Sequence, residues 1–200
     1  MVLTAQPISD VVIDVVNPDP GEISVDQTSL TFSSGNWNVA QTVTVTGVDD
    51  VVDDGDVVTN VSLSINDPAS DDTFDPVADQ SVAVTTLDDE TAGLSVVESG
   101  GTTAVTESGS TDTFTIVLQT QPTSDVVLDI TSGDLSEATV SPAQLTFTST
   151  NWNSAQTVTV TAVDDDVDDG NQSTTVTVAV NDGLSDDSYD PVSDVTVIVS

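Results

Sequence analysis

The chain has 200 residues, of which 35 are Asp or Glu and none is Lys, Arg or His, a formal charge of −35 at pH 7. Such a chain cannot form an internal side-chain ion pair, and it has no cationic surface with which to bind nucleic acid or approach an anionic membrane. Cysteine is absent too, which excludes disulfides and thiolate chemistry and leaves oxygen as the ligand atom for any metal.

The hydrophobic fraction of 36 % is below that of a typical globular domain. Its Val, Ile and Leu residues nevertheless alternate regularly with polar ones, a pattern that acidic disorder lacks, so a folded chain with small cores is expected. No apolar run approaches the roughly 20 residues of a membrane-spanning helix, and "MVLTAQPISD" has neither the basic nor the apolar region of a signal peptide. Membrane insertion is not expected.

In chain order, the first feature is an internal repeat. "LTFSSGNWNVAQTVTVTGVDDVVDDG", residues 30–55, returns as "LTFTSTNWNSAQTVTVTAVDDDVDDG" at 145–170, and "SDDTFDPVAD" at 70–79 returns as "SDDSYDPVSD" at 185–194. The period is about 115 residues, without gaps and with about half of the overlapping positions identical. Residues 86–200 form one whole unit, whereas residues 1–85 match only the part that begins at Ile116. The expectation is a partial repeat, N-terminally truncated, followed by a complete one, as in an excerpt from a longer array. Either residues 1–85 are an incomplete domain with an open sheet edge, or a neighbouring segment supplies the missing strands.

Within the second unit, period-two alternation runs through Phe114, Ile116 and Leu118, then Val158 and Val160, then Val176, Val178 and Val180, with Thr or Ser between many of them. That is the pattern of strands with one buried and one wet face. Gly, Pro, Asn, Asp and Ser clusters separate the runs. The predicted fold is all-β: tandem immunoglobulin-like antiparallel sandwiches of about seven strands each.

The aspartate runs "VDDVVDDG" at 48–55 and "VDDDVDDG" at 163–170 raise the question of counter-charge. Neighbouring carboxylates about 5 to 6 Å apart repel by very roughly 0.7 kcal/mol per pair in water, and by more near a low-dielectric surface. Calcium, with six to eight oxygen ligands in flexible geometry, suits such a cluster better than octahedral magnesium. The EF-hand pattern does not fit, since counting from Asp164 puts Asp169 at its glycine position and Thr175 at its glutamate position. Any site must therefore be assembled from loops distant in sequence, and "TLDDETAG" at 86–93 and "VTESG" at 105–109 are candidates. The bland alternative is solvated loop charge. Against it stand the recurrence of the runs at equivalent loops and the lack of any basic residue.

Other features carry two readings. Asp71, Asp72, Asp186 and Asp187 are either ligands or parts of Asx turns before a proline. Trp37 and Trp152, in "NWN", read better as covers for one end of a core than as exposed sugar platforms. The "TVTVT" runs read better as ordinary strands with Thr facing water than as an ice-binding array. Carboxylate pairs on polar loops, without His, Lys, Arg or Cys, do not make an acid–base or nucleophilic centre, so no enzymatic activity is expected.

The order "LDDETAGLSVVESG...VTESGSTDTF" followed by "LTFTSTNWNSAQTVTVTAVDDDVDDG" resembles a Calx-beta domain, a cadherin-like calcium-binding sandwich found in the sodium/calcium exchanger and in large surface proteins. In that family calcium lies at one end of the sandwich, held by an early glutamate, a mid-domain acidic loop and an acidic run closing the domain. The resemblance implies Asp49, Asp50, Asp53 and Asp54 with Asp88, Asp89 and Glu90 as ligands in the first unit. In the second it implies Glu107 with Asp164, Asp165, Asp166, Asp168 and Asp169. The function it implies is that of an extender repeat, stiffened by calcium at the junction between units, in a large secreted or cell-surface bacterial adhesin of the repeats-in-toxin type. Its partners would be neighbouring repeats, with any glycan or cell-surface ligand bound by distal domains. The alternatives are a calcium-dependent glycan- or ice-binding module, or an accessory repeat of a secreted polysaccharide-degrading enzyme.

Overall fold

The computed structural model describes residues 1–166 and 170–200. Alternating apolar and polar residues become strand almost wherever they occur, and the helical content of the described residues is confined to short 3-10 turns. The described residues divide into two units, residues 1–50 with 54–88, and residues 51–53 with 89–200.

The second unit is a sandwich of two four-stranded antiparallel sheets. Unit 1 contributes β1 (Val11–Val16), β2 (Ile23–Val25), β3 (Ser29–Phe32), β4 (Val45–Gly47), β5 (Val57–Ile65) and β6 (Gln80–Thr86). Unit 2 contributes β7 (Leu94–Glu98), β8 (Thr111–Leu118), β9 (Val126–Ser132), β10 (Ala138–Ser141), β11 (Gln144–Phe147), β12 (Gln156–Ala162), β13 (Thr174–Val180) and β14 (Val195–Val199). One sheet of unit 2 has the order β11-β9-β13-β14 and the other β10-β12-β8-β7. Phe114, Ile116, Val158, Val160, Val176 and Val178 all point into the core at 0–1 % exposure, so the faces expected from period-two alternation are the buried ones.

The all-β, antiparallel architecture agrees with the sequence pattern, but unit 2 has eight strands rather than about seven. The extra strand arises because residues 138–147 do not run as one strand. Ala138–Ser141 pairs with β12 in one sheet, and Gln144–Phe147 pairs with β9 in the other. Pro142, which has no N–H to give a ladder, stands at the crossing.

Unit 1 repeats this plan in the same register. Val11 faces Phe32 across β1 and β3 as Val126 faces Phe147 across β9 and β11. Its full sheet, β3-β1-β5-β6, matches β11-β9-β13-β14, but its second sheet is the pair β2-β4. Counterparts of β7 and β8 are absent from unit 1 except for Met1–Leu3, which stand where Ile116–Leu118 stand in unit 2. The Leu3 N–H donates to Trp37 O as the Leu118 N–H donates to Trp152 O. The core is thinner as a result: its cluster holds 7 buried residues against 16 in unit 2 among the described residues.

One polar pin recurs in both units. Asn66 Nδ2 donates to the Asp14 carboxylate, and Asn181 Nδ2 does the same to Asp129. A second belongs to unit 2, where the buried Tyr189 hydroxyl donates to Thr120 O at 2.7 Å and lies 2.8 Å from Thr120 Oγ1. Unit 1 has Phe74 and Ala5 at the corresponding positions, so both side-chain hydroxyls are missing there.

Candidate metal centre

At one end of unit 1 the pairing of β2 with β4 sets Ile23 opposite Gly47, which brings Glu22 beside the loop that follows β4. The main chain fixes this approach: Glu22 O accepts the Val48 N–H at 2.9 Å and Thr86 Oγ1 at 3.2 Å. The loop then carries Asp50 and Asp54 toward Glu22. One carboxylate oxygen from each of Glu22, Asp50 and Asp54 lies within 4.8 Å of the others. The loop turns at Gly55, whose φ of 77° lies in the left-handed region that glycine adopts without a Cβ clash. The Gly55 N–H donates to Asp88 Oδ2 at 2.6 Å, and the Asp88 N–H donates to Asp56 Oδ1 at 3.1 Å, so Asp88 is held at the same end.

Electrostatics follows from this crowding. Glu22 is held above its ordinary carboxylate pKa by burial and by the charges of Asp54, Asp19, Asp50 and Asp88. Asp54 is likewise raised, by burial and by Asp50 and Asp88. Part of each upward shift is repulsion between carboxylates, which a cation would relieve. With Ca–O distances of about 2.3 to 2.6 Å, ligand oxygens on opposite sides of one ion are about 4.6 to 5.2 Å apart, whereas magnesium requires about 4.0 to 4.2 Å. Three oxygens spread evenly round one calcium ion are about 4.0 to 4.5 Å apart, so the Glu22, Asp50 and Asp54 oxygens, all within 4.8 Å of one another, meet on one ion with at most a few tenths of an ångström of movement. They would supply three of the ligands, and water or backbone carbonyls the remainder.

Glu22 was not among the residues the sequence singled out, although a signal was there. "DPGE" at 19–22 and "DLSE" at 134–137 occupy equivalent positions of the repeat, with Asp and Glu kept at the same spacing. The aspartate makes an Asx turn in both copies: Asp19 Oδ1 accepts the Gly21 N–H and Asp134 Oδ1 the Ser136 N–H. The glutamate is then presented toward the acidic loop. In unit 2 Glu137 and Glu107 line one cleft of about 560 Å³, together with Val163 and Gly170 at the two ends of the aspartate loop. Asp164, Asp165 and Asp166 are exposed in that loop, and the predicted Asp168 and Asp169 lie outside the described residues.

The other predicted ligands divide. Asp49 is exposed in unit 1, and Asp89 (exposed) and Glu90 (half-buried) open unit 2. Asp53 belongs to unit 2, where its Oδ2 accepts the Ala92 N–H at 2.6 Å. It acts there as a backbone pin.

For Asp71 and Asp186 the structure decides for the turn. Asp71 Oδ2 accepts the N–H groups of Ile8 and Ser9, and its Oδ1 accepts the Thr73 N–H and hydroxyl. These bonds, the Thr73 hydroxyl foremost, hold its pKa down at about 2. Asp186 does the same with Thr123, Ser124 and Ser188. Burial works against its charge, but the hydrogen bonds outweigh burial and its pKa is also lowered. Trp152 is half-buried and packs on the core, in keeping with a core cover.

The chain is thus an acidic, repeat-built, all-β protein with carboxylates gathered at loop ends. No protein-family model matches it, and no curated protein does. Among solved structures it is similar to domains 4 and 5 of the S-layer protein SbsC, at 14 % identity and a TM-score of 0.38, covering 94 % of this chain and 96 % of that one. It is also similar to CBD12 from CALX1.2, at 12 % identity and a TM-score of 0.36, covering 89 % and 71 %. A third is SSP-19, an MSP-domain protein like family member of Caenorhabditis elegans, at 15 % identity and a TM-score of 0.37, covering 52 % and 96 %. Likenesses this distant carry no function. No helix among the described residues is long and apolar enough to cross a membrane.

Proposed function

We propose that this chain is a calcium-binding structural repeat of a large secreted or cell-surface protein, a spacer that is stiff in calcium and slack without it. The observation that carries this reading is the convergence of Glu22, Asp50 and Asp54 on one spacing, 4.8 Å or less, in a chain with no basic residue to answer them. The repeat equivalents Glu137 and Asp165, with Glu107, support a second centre of the same kind in unit 2. An adhesin of the repeats-in-toxin type is the setting that the Calx-beta resemblance favours, with binding to a distant target left to other domains.

The test is thermal unfolding in EDTA, in calcium and in magnesium, for the wild-type chain and for Glu22→Gln. If binding falls in the range of extracellular modules, about 10⁻⁴ to 10⁻³ M, then about 10 mM calcium stabilises the native state by about 1.4 to 2.7 kcal/mol through mass action. Glu22→Gln reduces the calcium response of unit 1 and leaves that of unit 2. Equal, small shifts with calcium and magnesium refute a specific site.

A further inference from the structure

Unit 2 presents one sheet face from which charge is missing. Phe114, Ile116, Val158 and Val160 turn inward at 0–1 % exposure, so the residues between them turn outward. The outward rows meet in register: Thr111, Thr113 and Thr115 on β8 stand opposite Thr161, Thr159 and Thr157 on β12. Thr139 and Ser141 of β10 continue these rows on one side, and Val97 of β7, 60 % exposed, continues the Thr115 row on the other. With Ser95 and Val117, every outward residue of the four strands is Ser, Thr or Val, in a chain with 35 carboxylates. None of these outward residues is buried. The outer face of the companion sheet differs, since Asp129 stands on it.

Such a face is complementary to itself. A threonine hydroxyl both donates and accepts, so a row of them pairs with a like row, which a row of carboxylates cannot do. Within the sheet the hydroxyls are loosely engaged, Thr115 Oγ1 donating to Val97 O at 3.5 Å and Thr139 Oγ1 to Thr161 O at 3.4 Å. Four strands about 4.8 Å apart, the longest of eight residues at about 3.4 Å each, give a face of about 500 Å². Two such faces bury about 1,000 Å², the lower limit for a specific contact, which makes their association weak and reversible.

We propose that this face of unit 2 docks on the same face of a second copy of the chain about a two-fold axis, so that neighbouring molecules lie side by side. An isologous contact requires a self-complementary patch, and hydroxyl rows with valine at the margin supply one. Salt decides when it forms. With a charge of −35 on each copy, repulsion dominates at 0.01 M salt, where the Debye length is about 30 Å, and is screened at 0.15 M, where it is about 8 Å. Sodium suffices for this screening, so the docking stands apart from the calcium reading above.

The test is sedimentation velocity in EDTA, over a series of protein concentrations into the millimolar range, at low and at physiological sodium chloride. Dimers are expected to increase with protein concentration and with salt. Thr159→Asp, at the centre of the face, should weaken association at least about tenfold, because it sets like charges against each other across the contact. Thr177→Asp, on the outer face of the companion sheet, should leave association unchanged. Circular dichroism checks that each variant is folded. Because the chain has no cysteine, Thr113→Cys and Thr159→Cys each introduce a single thiol. On oxidation they should form disulfide-linked dimers at least about tenfold faster than Thr177→Cys, since docking raises the local thiol concentration. These milder variants carry the test should Thr159→Asp fail to fold. A chain that is monomeric in every condition overturns the proposal, as do dimers that persist in Thr159→Asp, equal loss in Thr177→Asp, or equal thiol rates. Dimers that form only in calcium also overturn it, as does a monomeric chain that binds ice or a neutral polysaccharide through this face.

Discussion

Asp186→Asn isolates the contribution of a carboxylate that closes a turn. Asp186 is 6 % exposed and accepts five hydrogen bonds. Oδ2 takes the Thr123 N–H and hydroxyl, each at 2.7 Å, and the Ser124 N–H at 2.8 Å, while Oδ1 takes the Ser188 N–H and hydroxyl. An asparagine keeps the shape and one acceptor oxygen, but its NH2 group must face donors on one side or the other. Hydrogen bonds to a charged acceptor contribute about 1.5 to 3 kcal/mol each and are not additive on one carboxylate. With Thr123 and Ser124 on a loop that water reaches, about 3 to 4 kcal/mol is the expected loss for the group. For a domain of this size that lowers Tm by roughly 10 to 25 °C. In a Trp37→Phe background, Trp152 fluorescence reports the melting of unit 2 alone. Asp187→Asn, one residue along and exposed, is the control and should change stability by less than about 0.5 kcal/mol. If the two variants melt together, the carboxylate is not the pin that the geometry makes it.

Tyr189→Phe should cost unit 2 about 1 to 2 kcal/mol by denaturant unfolding, since it strips the hydroxyl from Thr120 in a buried setting. Phe74→Tyr in unit 1 should recover only part of this, because Ala5 keeps the main-chain oxygen but not the hydroxyl of Thr120. Acidity should act in two opposite directions. In EDTA, unit 1 should gain stability as pH falls from 7 toward the unfolded values of 4.5 for Glu22 and 3.8 for Asp54, because their raised folded pKa values make the folded state take up protons first. Calcium should remove that gain. Below the ordinary 3.8 the sign reverses, as stability held by Asp71 is lost through its folded value of about 2 and that of Asp186 lower still. Calorimetry across pH, with and without calcium, reads both limbs.

The strand faces were legible in the sequence because a buried sheet face needs an apolar residue at every second position, and Val176 and Val178 or Phe114 and Ile116 show it directly. The repeat offset was legible too, and with it the absence of β7 and β8 counterparts from unit 1. What alternation does not show is that residues 138–147 divide between two sheets: only the pairing partners separate β10 from β11. The candidate site was half legible. Runs of aspartate draw the eye, but a lone glutamate such as Glu22 becomes part of the cluster only through the register of β2 on β4. Asp71 and Asp53 illustrate the converse. Their sequence context is as acidic as that of Asp54, yet backbone N–H groups reach them, and such contacts depend on where distant loops lie.

A chain without basic side chains can stabilise a carboxylate in two ways, by N–H and O–H dipoles of its own or by cations from solution. Both conditions are visible, and they occur side by side: Asp75 and Asp190, in the same turns as Asp71 and Asp186, are held above their ordinary pKa by burial and by neighbouring carboxylates. Asp71 and Asp186, in the turns that lead to β6 and β14, are satisfied by the fold and have depressed pKa values. Glu22 and Asp54, in the loops at the β2–β4 end, are crowded by other carboxylates and have raised ones. The first carboxylates are held by the fold itself; the second depend on cations from the medium. Thr73→Asp would take the hydroxyl donor from Asp71 and add a carboxylate beside Asp71, Asp72 and Asp75, so the one satisfied member of that turn would join its crowded neighbours and unit 1 should lose stability in EDTA.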